Sequence, residues 1–268
     1  MKQEFQLSAN VSLLFGEHPF LERFEAAAKA GFSAVECQFP YDYPASELAL
    51  RLRDNGLVMN GVNTPLERSL PNAFGFAAAP GEQARFRAGF DIALDYARVL
   101  GAQTIHCMSG VTAPHLAEQA RGTFLENMVW ASAGARSIGA ALLIEPLNSR
   151  DRPGYFVSRS DEIIELLAEL DCDNVKLLFD VYHIQIMEGD LLARLRRHWP
   201  NIGHVQLASV PDRHEPDEGE VRVEAILQEL CRLGHKGFVG AEYNPRGATS
   251  AGLGWARAWL GPRNRILE

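Results

Sequence analysis

The chain has 268 residues, 47% apolar and 22% charged, which suits a globular protein with a sizeable core and excludes disordered and collagen-like classes. Twenty-six basic against thirty-four acidic residues leave a net charge of −8, which repels phosphate backbones and anionic membranes, so no nucleic acid and no membrane surface is expected as a partner. Cys37, Cys107, Cys172 and Cys231 form no C-x-x-C pair. Neither a disulfide framework nor a thiolate zinc site is therefore expected, and reduced thiols suit a cytoplasmic protein. Between Met1 and Phe20 the short apolar stretch Val11 to Phe15 is broken up by Asn10 and Ser12, and nothing later approaches the ~18 apolar residues of a membrane span. No export signal and no membrane anchor are expected.

In chain order, one phrase recurs: a helical pattern ends at glycine, and a short apolar run then ends in a polar residue. It reads Gly31 to Glu36, Gly101 to His106, Gly139 to Glu145 and Gly234 to Glu242. Glycine suits the left-handed position that closes a helix, and a continuous apolar run suits a strand buried on both faces. The pattern predicts strands near 5–12, 33–37, 57–63, 103–108, 141–145, 174–180, 202–207 and 237–242. Helices are predicted near 19–30, 45–55, 82–99, 115–138, 159–170, 187–198 and 221–233, with Phe20, Phe24, Ala27 and Ala28 sharing one face of the first. Such alternation predicts one α/β domain over residues 1–268, a (β/α)8 TIM barrel. The competing doubly wound sheet lacks its G-x-G-x-x-G turn, since the chain after strand 1 reads Asn10-Val-Ser-Leu-Leu-Phe-Gly16. Asn63 to Pro80 is read as a lid.

In such a barrel the C-terminal strand ends converge on one mouth, where chemistry is sought. Glu145, Asp180, Gln206 and Glu242 each terminate an apolar run, one βα unit apart. Three carboxylates meeting there would repel one another and raise each other's pKa unless a cation neutralised them. An all-oxygen set favours one hard or borderline divalent ion, Mg²⁺ or Mn²⁺ ahead of Zn²⁺ or Co²⁺.

The chain at this point resembles a family across nearly its whole length. Ser8-Ala-Asn-Val-Ser-Leu-Leu-Phe15, Phe39-Pro-Tyr-Asp-Tyr43, Ile144-Glu-Pro-Leu-Asn148, Phe179-Asp-Val-Tyr-His183, His204-Val-Gln206, Arg213-His-Glu-Pro216 with Gly219-Glu220, and Ala241-Glu-Tyr243 are similar to the hydroxypyruvate isomerase family of xylose isomerase-like TIM barrels. The resemblance implies a divalent ion held by Glu145, Asp180, Gln206 and Glu242, with Glu145 and Glu242 also the catalytic acid/base pair. Two branches stay open. Val210 to Glu220, Asn63-Thr64, Pro245-Arg-Gly and Gly252-Leu-Gly-Trp255 resemble 2-oxo-tetronate isomerases, whereas Ile144 to Asn148 resembles hydroxypyruvate isomerases proper. Ser209 stands where the family often has Asp, and Pro65-Leu-Glu-Arg68 replaces a Gly-Asp-Trp-like loop; both departures bear on specificity.

A carbonyl shift removes a proton from one carbon, passes through an enediolate and returns a proton to the next, work suited to two carboxylates beside an ion. His183 is expected to reach the mouth and hold a small-molecule substrate. His106 either bonds substrate or is a satisfied core histidine. Arg213 is read as a fork for a substrate carboxylate, or else as a surface cation. Glu36 is expected either in a salt bridge at the rim or as a carboxylate that stands behind the ligands or touches substrate, and His204 packed in the core or behind the ligands. Trp199, Trp255 and Trp259 are expected to pack the core or an interface, which leaves a homo-oligomer open. The leading function is an isomerase of a small hydroxy-oxo acid. A sugar 3-epimerase or dehydratase on the same barrel would use nearly the same ligands; a nuclease would need a basic face and a histidine-rich multi-metal site; a non-catalytic sugar binder would need no metal.

Overall fold

The glycines of the recurring phrase sit at φ 102° (Gly31), 64° (Gly101), 73° (Gly139) and 73° (Gly234), left-handed values that close each helix at little steric cost. The structure is a computed structural model and describes residues 5–67, 70 and 74–260. Its strands are β1 (Gln6–Asn10), β2 (Ala34–Cys37), β3 (Val58–Asn63), β4 (Thr104–His106), β5 (Ala141–Ile144), β6 (Val175–Asp180), β7 (Ile202–Leu207) and β8 (Phe238–Ala241). They follow one another in parallel, and β1 pairs with β8 at Leu7↔Val239, so the sheet closes as the sequence predicts. A sheet closed in parallel register leaves no exposed strand edge.

Between the strands run α1 (Arg23–Ala30), α2 (Ala45–Asp54), α3 (Gln83–Leu100), α4 (Ala117–Ser137), α5 (Ser160–Leu170), α6 (Val181–Met187), α7 (Leu191–His198), α8 (Val223–Arg232) and the short α9 (Thr249–Gly252). Each long helix turns one apolar stripe to the sheet; in α8 it is Val223, Ile226, Leu227 and Leu230, at i, i+3, i+4 and i+7. The first predicted helix begins as a 3₁₀ turn over Phe20–Glu22, so Phe24, Ala27 and Ala30 form its buried face.

One helix departs from the sequence reading. Residues 181–186, which lie between the predicted strand 174–180 and helix 187–198, form α6 together with Met187, because the Asp180 carboxylate accepts from the Tyr182 backbone N–H at 2.8 Å and caps it. Val181, Tyr182 and Ile184 are β-branched or aromatic and all buried, which hides a helical period. Of the predicted lid, residues 68, 69 and 71–73 lie outside the described residues. Its far end is pinned at Gly75, which bridges to Ser109 at φ 109°; a Cβ there would stand 2.0 Å from the Met108 carbonyl oxygen. Trp259 stacks on Phe5 at 4.7 Å, and Trp199 and Trp255 meet His235 and Tyr243, so all three tryptophans pack within the chain.

Candidate active site and metal centre

The four strand-end residues come together because the register puts them there. Asp180 is the β-partner of Gln206, and Gln206 that of Gly240, two residues before Glu242. Glu145 follows β5 directly, and all four side chains are buried. Glu242 Oε2 accepts from Gln206 Nε2 at 2.6 Å, and one Arg213 nitrogen spans Glu242 Oε1 at 2.7 Å and Asp180 Oδ2 at 3.2 Å. Glu145 meets Asp180, and His183 Nε2 faces both, at 3.7 Å and 3.6 Å.

Burial in this setting costs charge. Desolvation first, then the Asp180 and Glu242 charges, push the Glu145 carboxyl well above the usual carboxylate range. Desolvation also raises Asp180, against the pull of Arg213, and raises Glu242 to about 7. Burial holds His106 down at about 3 and His183 well below the usual imidazole range, so both rings are neutral at physiological pH. The Arg213 guanidinium is pushed up by Glu242, Asp180 and Glu145 against its own desolvation.

A cation fits this donor set. Glu145 Oε1 and Gln206 Oε1 are buried with no hydrogen-bond partner, each an oxygen lone pair left facing protein. Glu145, Asp180 and His183 each offer one donor atom within 4.8 Å of the others. His183, however, accepts the Asn148 backbone N–H at Nδ1 (3.1 Å), so its neutral ring carries the proton on Nε2 and points a donor, not a lone pair, at the carboxylates. That leaves oxygen, from Glu145 and Asp180 and from Gln206 and Glu242 beside them, as what the site would offer an ion. Protons compete for the same oxygens, so Mn²⁺ affinity is expected to rise between about pH 5 and pH 7, by up to tenfold per unit for each proton displaced. Without metal, carboxyls raised in the folded state hold extra protons in that window, and their contribution to stability falls as pH rises through about 7. Titration calorimetry and thermal unfolding across this range check both signs.

The mouth is a cavity of ≈ 210 Å³ lined by all the predicted site residues except the fully buried Asp180, and by Phe39, Leu66, Phe74 and Arg152. Sites for drug-sized ligands run from ~300 Å³ upward, so this one suits a molecule of a few carbons. His106 reaches it, with Nδ1 3.5 Å from Glu145 and Nε2 buried without a partner.

Three expectations are corrected. Arg213 is no surface cation: its side chain is 20% exposed, lines the mouth, stacks 4.9 Å over Tyr182 and ties one nitrogen to two carboxylates, while its Nε is buried without a partner. Glu36 makes no rim salt bridge; it is buried inside the barrel against His204 Nε2 at 2.9 Å. Ser209 does not face substrate, since its hydroxyl accepts the His214 backbone N–H at 2.9 Å and closes the β7 loop. Asn10 and Gln38, which the sequence reading missed, donate to Glu242 at 2.7 and 3.0 Å; both stand at strand ends, where the same rule would have found them. Arg152, whose guanidinium lies 4.0 Å over Phe74, carried no such signal, because it sits in the long β5 loop.

Residues 24–259 match the model of the xylose isomerase-like TIM barrel family, and the chain belongs to that family. It is 45% identical over 258 residues to a 2-oxo-tetronate isomerase of Cupriavidus necator, covering 96% of this chain and 99% of that one. It is 39% identical over 251 residues to the hydroxypyruvate isomerase of Escherichia coli, covering 93% and 97%. A Brucella melitensis structure described as an AP endonuclease, family 2, superposes with a TM-score of 0.93 at 42% identity, covering 95% and 99%. A D-psicose 3-epimerase of Clostridium cellulolyticum, at 16% identity and a TM-score of 0.78, shares the fold. Within the family the chain falls among the hydroxypyruvate and 2-oxo-tetronate isomerases, and it is an isomerase enzyme.

Proposed function

We propose that this enzyme moves a carbonyl between adjacent carbons of a small hydroxy-oxo acid, converting hydroxypyruvate to tartronate semialdehyde or 2-oxo-tetronate to 3-oxo-tetronate, with one divalent ion, Mg²⁺ or Mn²⁺ ahead of Zn²⁺ or Co²⁺. The observation that carries this reading is the meeting of Glu145, Asp180, Gln206 and Glu242 at the floor of a ≈ 210 Å³ mouth, with two of their oxygens unpartnered. The ion would supply positive charge against the enediolate. A carboxylate of the Glu145 and Glu242 pair takes the proton from the hydroxyl-bearing carbon, the other returns a proton to the former carbonyl carbon, and the hydroxyl proton passes to the former carbonyl oxygen, so no atom is gained or lost. His183, with its proton held on Nε2 by the Asn148 contact, donates to a substrate oxygen. Arg213 offsets the carboxylate charge beside them. Gln206 offers an oxygen without adding a charge that would oppose the enediolate.

Likeness to the 2-oxo-tetronate isomerases, at 40–45% identity, supports the four-carbon substrate. A phosphodiester-cleaving reading has against it the net charge of −8. Coupled assays with hydroxypyruvate and with 2-oxo-tetronates, on metal-stripped protein and after adding Mg²⁺ or Mn²⁺, test the proposal. Turnover restored by metal is expected with at least one of them; turnover on neither, or turnover indifferent to metal removal, contradicts it.

A further inference from the structure

Gln206 Nε2 has two hydrogens, and both go to carboxylates: Glu242 Oε2 at 2.6 Å and Glu36 Oε1 at 2.7 Å. Turning the amide over would set its carbonyl oxygen against two anionic oxygens at hydrogen-bond distance. The amide is thereby locked with Oε1 away from them, buried and without a partner. Glu36 is itself held from other strands of the barrel. Its Oε2 accepts from His204 Nε2 at 2.9 Å and Asn60 Nδ2 at 3.3 Å, and its Oε1 from Asn10 Nδ2 at 3.4 Å. Room for this carboxylate exists because residue 240 is glycine. A Cβ on Gly240 would stand 2.7 and 2.8 Å from the Glu36 oxygens and 2.8 Å from Gln206 Cγ. We propose that Glu36 is a positioning residue whose carboxylate orients the Gln206 amide, so that the carbonyl oxygen and not the NH₂ is offered to the ion. This rests on the reading above, in which Gln206 is a metal ligand.

The test is Mn²⁺ affinity, measured by titration calorimetry on metal-stripped wild type, Glu36→Gln, Gln206→Glu and the double variant. Glu36→Gln keeps the size of the side chain but replaces the anionic acceptor, so the Gln206 amide is free to turn over, and affinity is expected to fall about 10- to 100-fold. In the Gln206→Glu background both ends are oxygen and there is no orientation to set. Adding Glu36→Gln there removes only a neighbouring charge, so the further change in affinity is expected to stay within about threefold. A merely structural role would give the same loss in both backgrounds. Gly240→Ala removes neither carboxylate but crowds both Glu36 and Gln206; it is expected to weaken Mn²⁺ binding too and decides the matter if Glu36→Gln does not fold, as judged by thermal unfolding without metal. Equal losses in both backgrounds, or none in the wild-type background, overturn the role of Glu36 while leaving the ligand set standing. Wild type that binds no Mn²⁺ overturns the ligand set and the role together.

Discussion

Glutamine in place of Glu242, or of Glu145, is expected to lower turnover about 10²- to 10⁴-fold at saturating metal, the range of a positioned acid or base. Glutamine keeps an oxygen that can face an ion and loses only the basic carboxylate, so Mn²⁺ should still bind, more weakly. The two sites differ in surroundings. Glu242 is held by donors from Asn10, Gln38, Gln206 and Arg213, whereas Glu145 Oε1 has no partner and the carboxyl meets Asp180. Glu145→Gln removes a charge that Asp180 and Glu242 oppose, and is expected to stabilise the metal-free fold. Glu242→Gln sets a new NH₂ among donors and is expected to destabilise it. Steady-state kinetics at saturating Mg²⁺ beside metal-free thermal unfolding checks both. If both variants turn over normally, the acid/base assignment moves to another group, His183 first.

Arg213→Met is expected to cost the metal-free protein about 3 kcal/mol at pH 8, because it strips the cation from a buried carboxylate cluster, and about 6–12 °C in unfolding temperature. The guanidinium bridges Asp180 and Glu242 from a loop position at φ 56°, so the loop return after β7 is built to deliver it there. Near pH 6 the loss should be smaller. Glu242, raised to about 7, is then largely protonated and needs its counter-charge less. Saturating Mg²⁺ should recover part of the loss at pH 8, since an ion on the same oxygens takes over the neutralising charge. Thermal unfolding at both pH values, with and without Mg²⁺, decides; an equal loss under all four conditions would place Arg213 outside the electrostatics of the site.

The barrel and the polar residues at its strand ends were legible in the sequence for a local reason. A strand buried on both faces must be apolar along its length, so the polar residue that ends it, such as Asp180 after Val175 to Phe179, stands out. Helix α6 was not legible, because Val181, Tyr182 and Ile184 are all buried and leave no polar face to mark the period. The placing of Glu36 and Arg213 depends on closure. Glu36 ends up against His204 and Gln206 only because β1 pairs with β8, and Arg213 reaches Asp180 only because its loop folds back over the mouth. Long-range placements of that kind leave no trace in local patterning. The substrate was not legible either: the cavity wall at Leu66, Phe74 and Arg152 comes from loops whose shape no strand or helix period sets.

Turnover in D₂O, with products read by proton NMR, tests the central claim most directly. If a Glu145 and Glu242 pair takes a proton from one carbon and returns one to the next, solvent deuterium enters the carbon that was the carbonyl, and incorporation stops when metal is stripped. Product that keeps the substrate's own hydrogen at that carbon throughout would mean a hydride shift or one shielded group carrying the same proton across, and would contradict the two-carboxylate account.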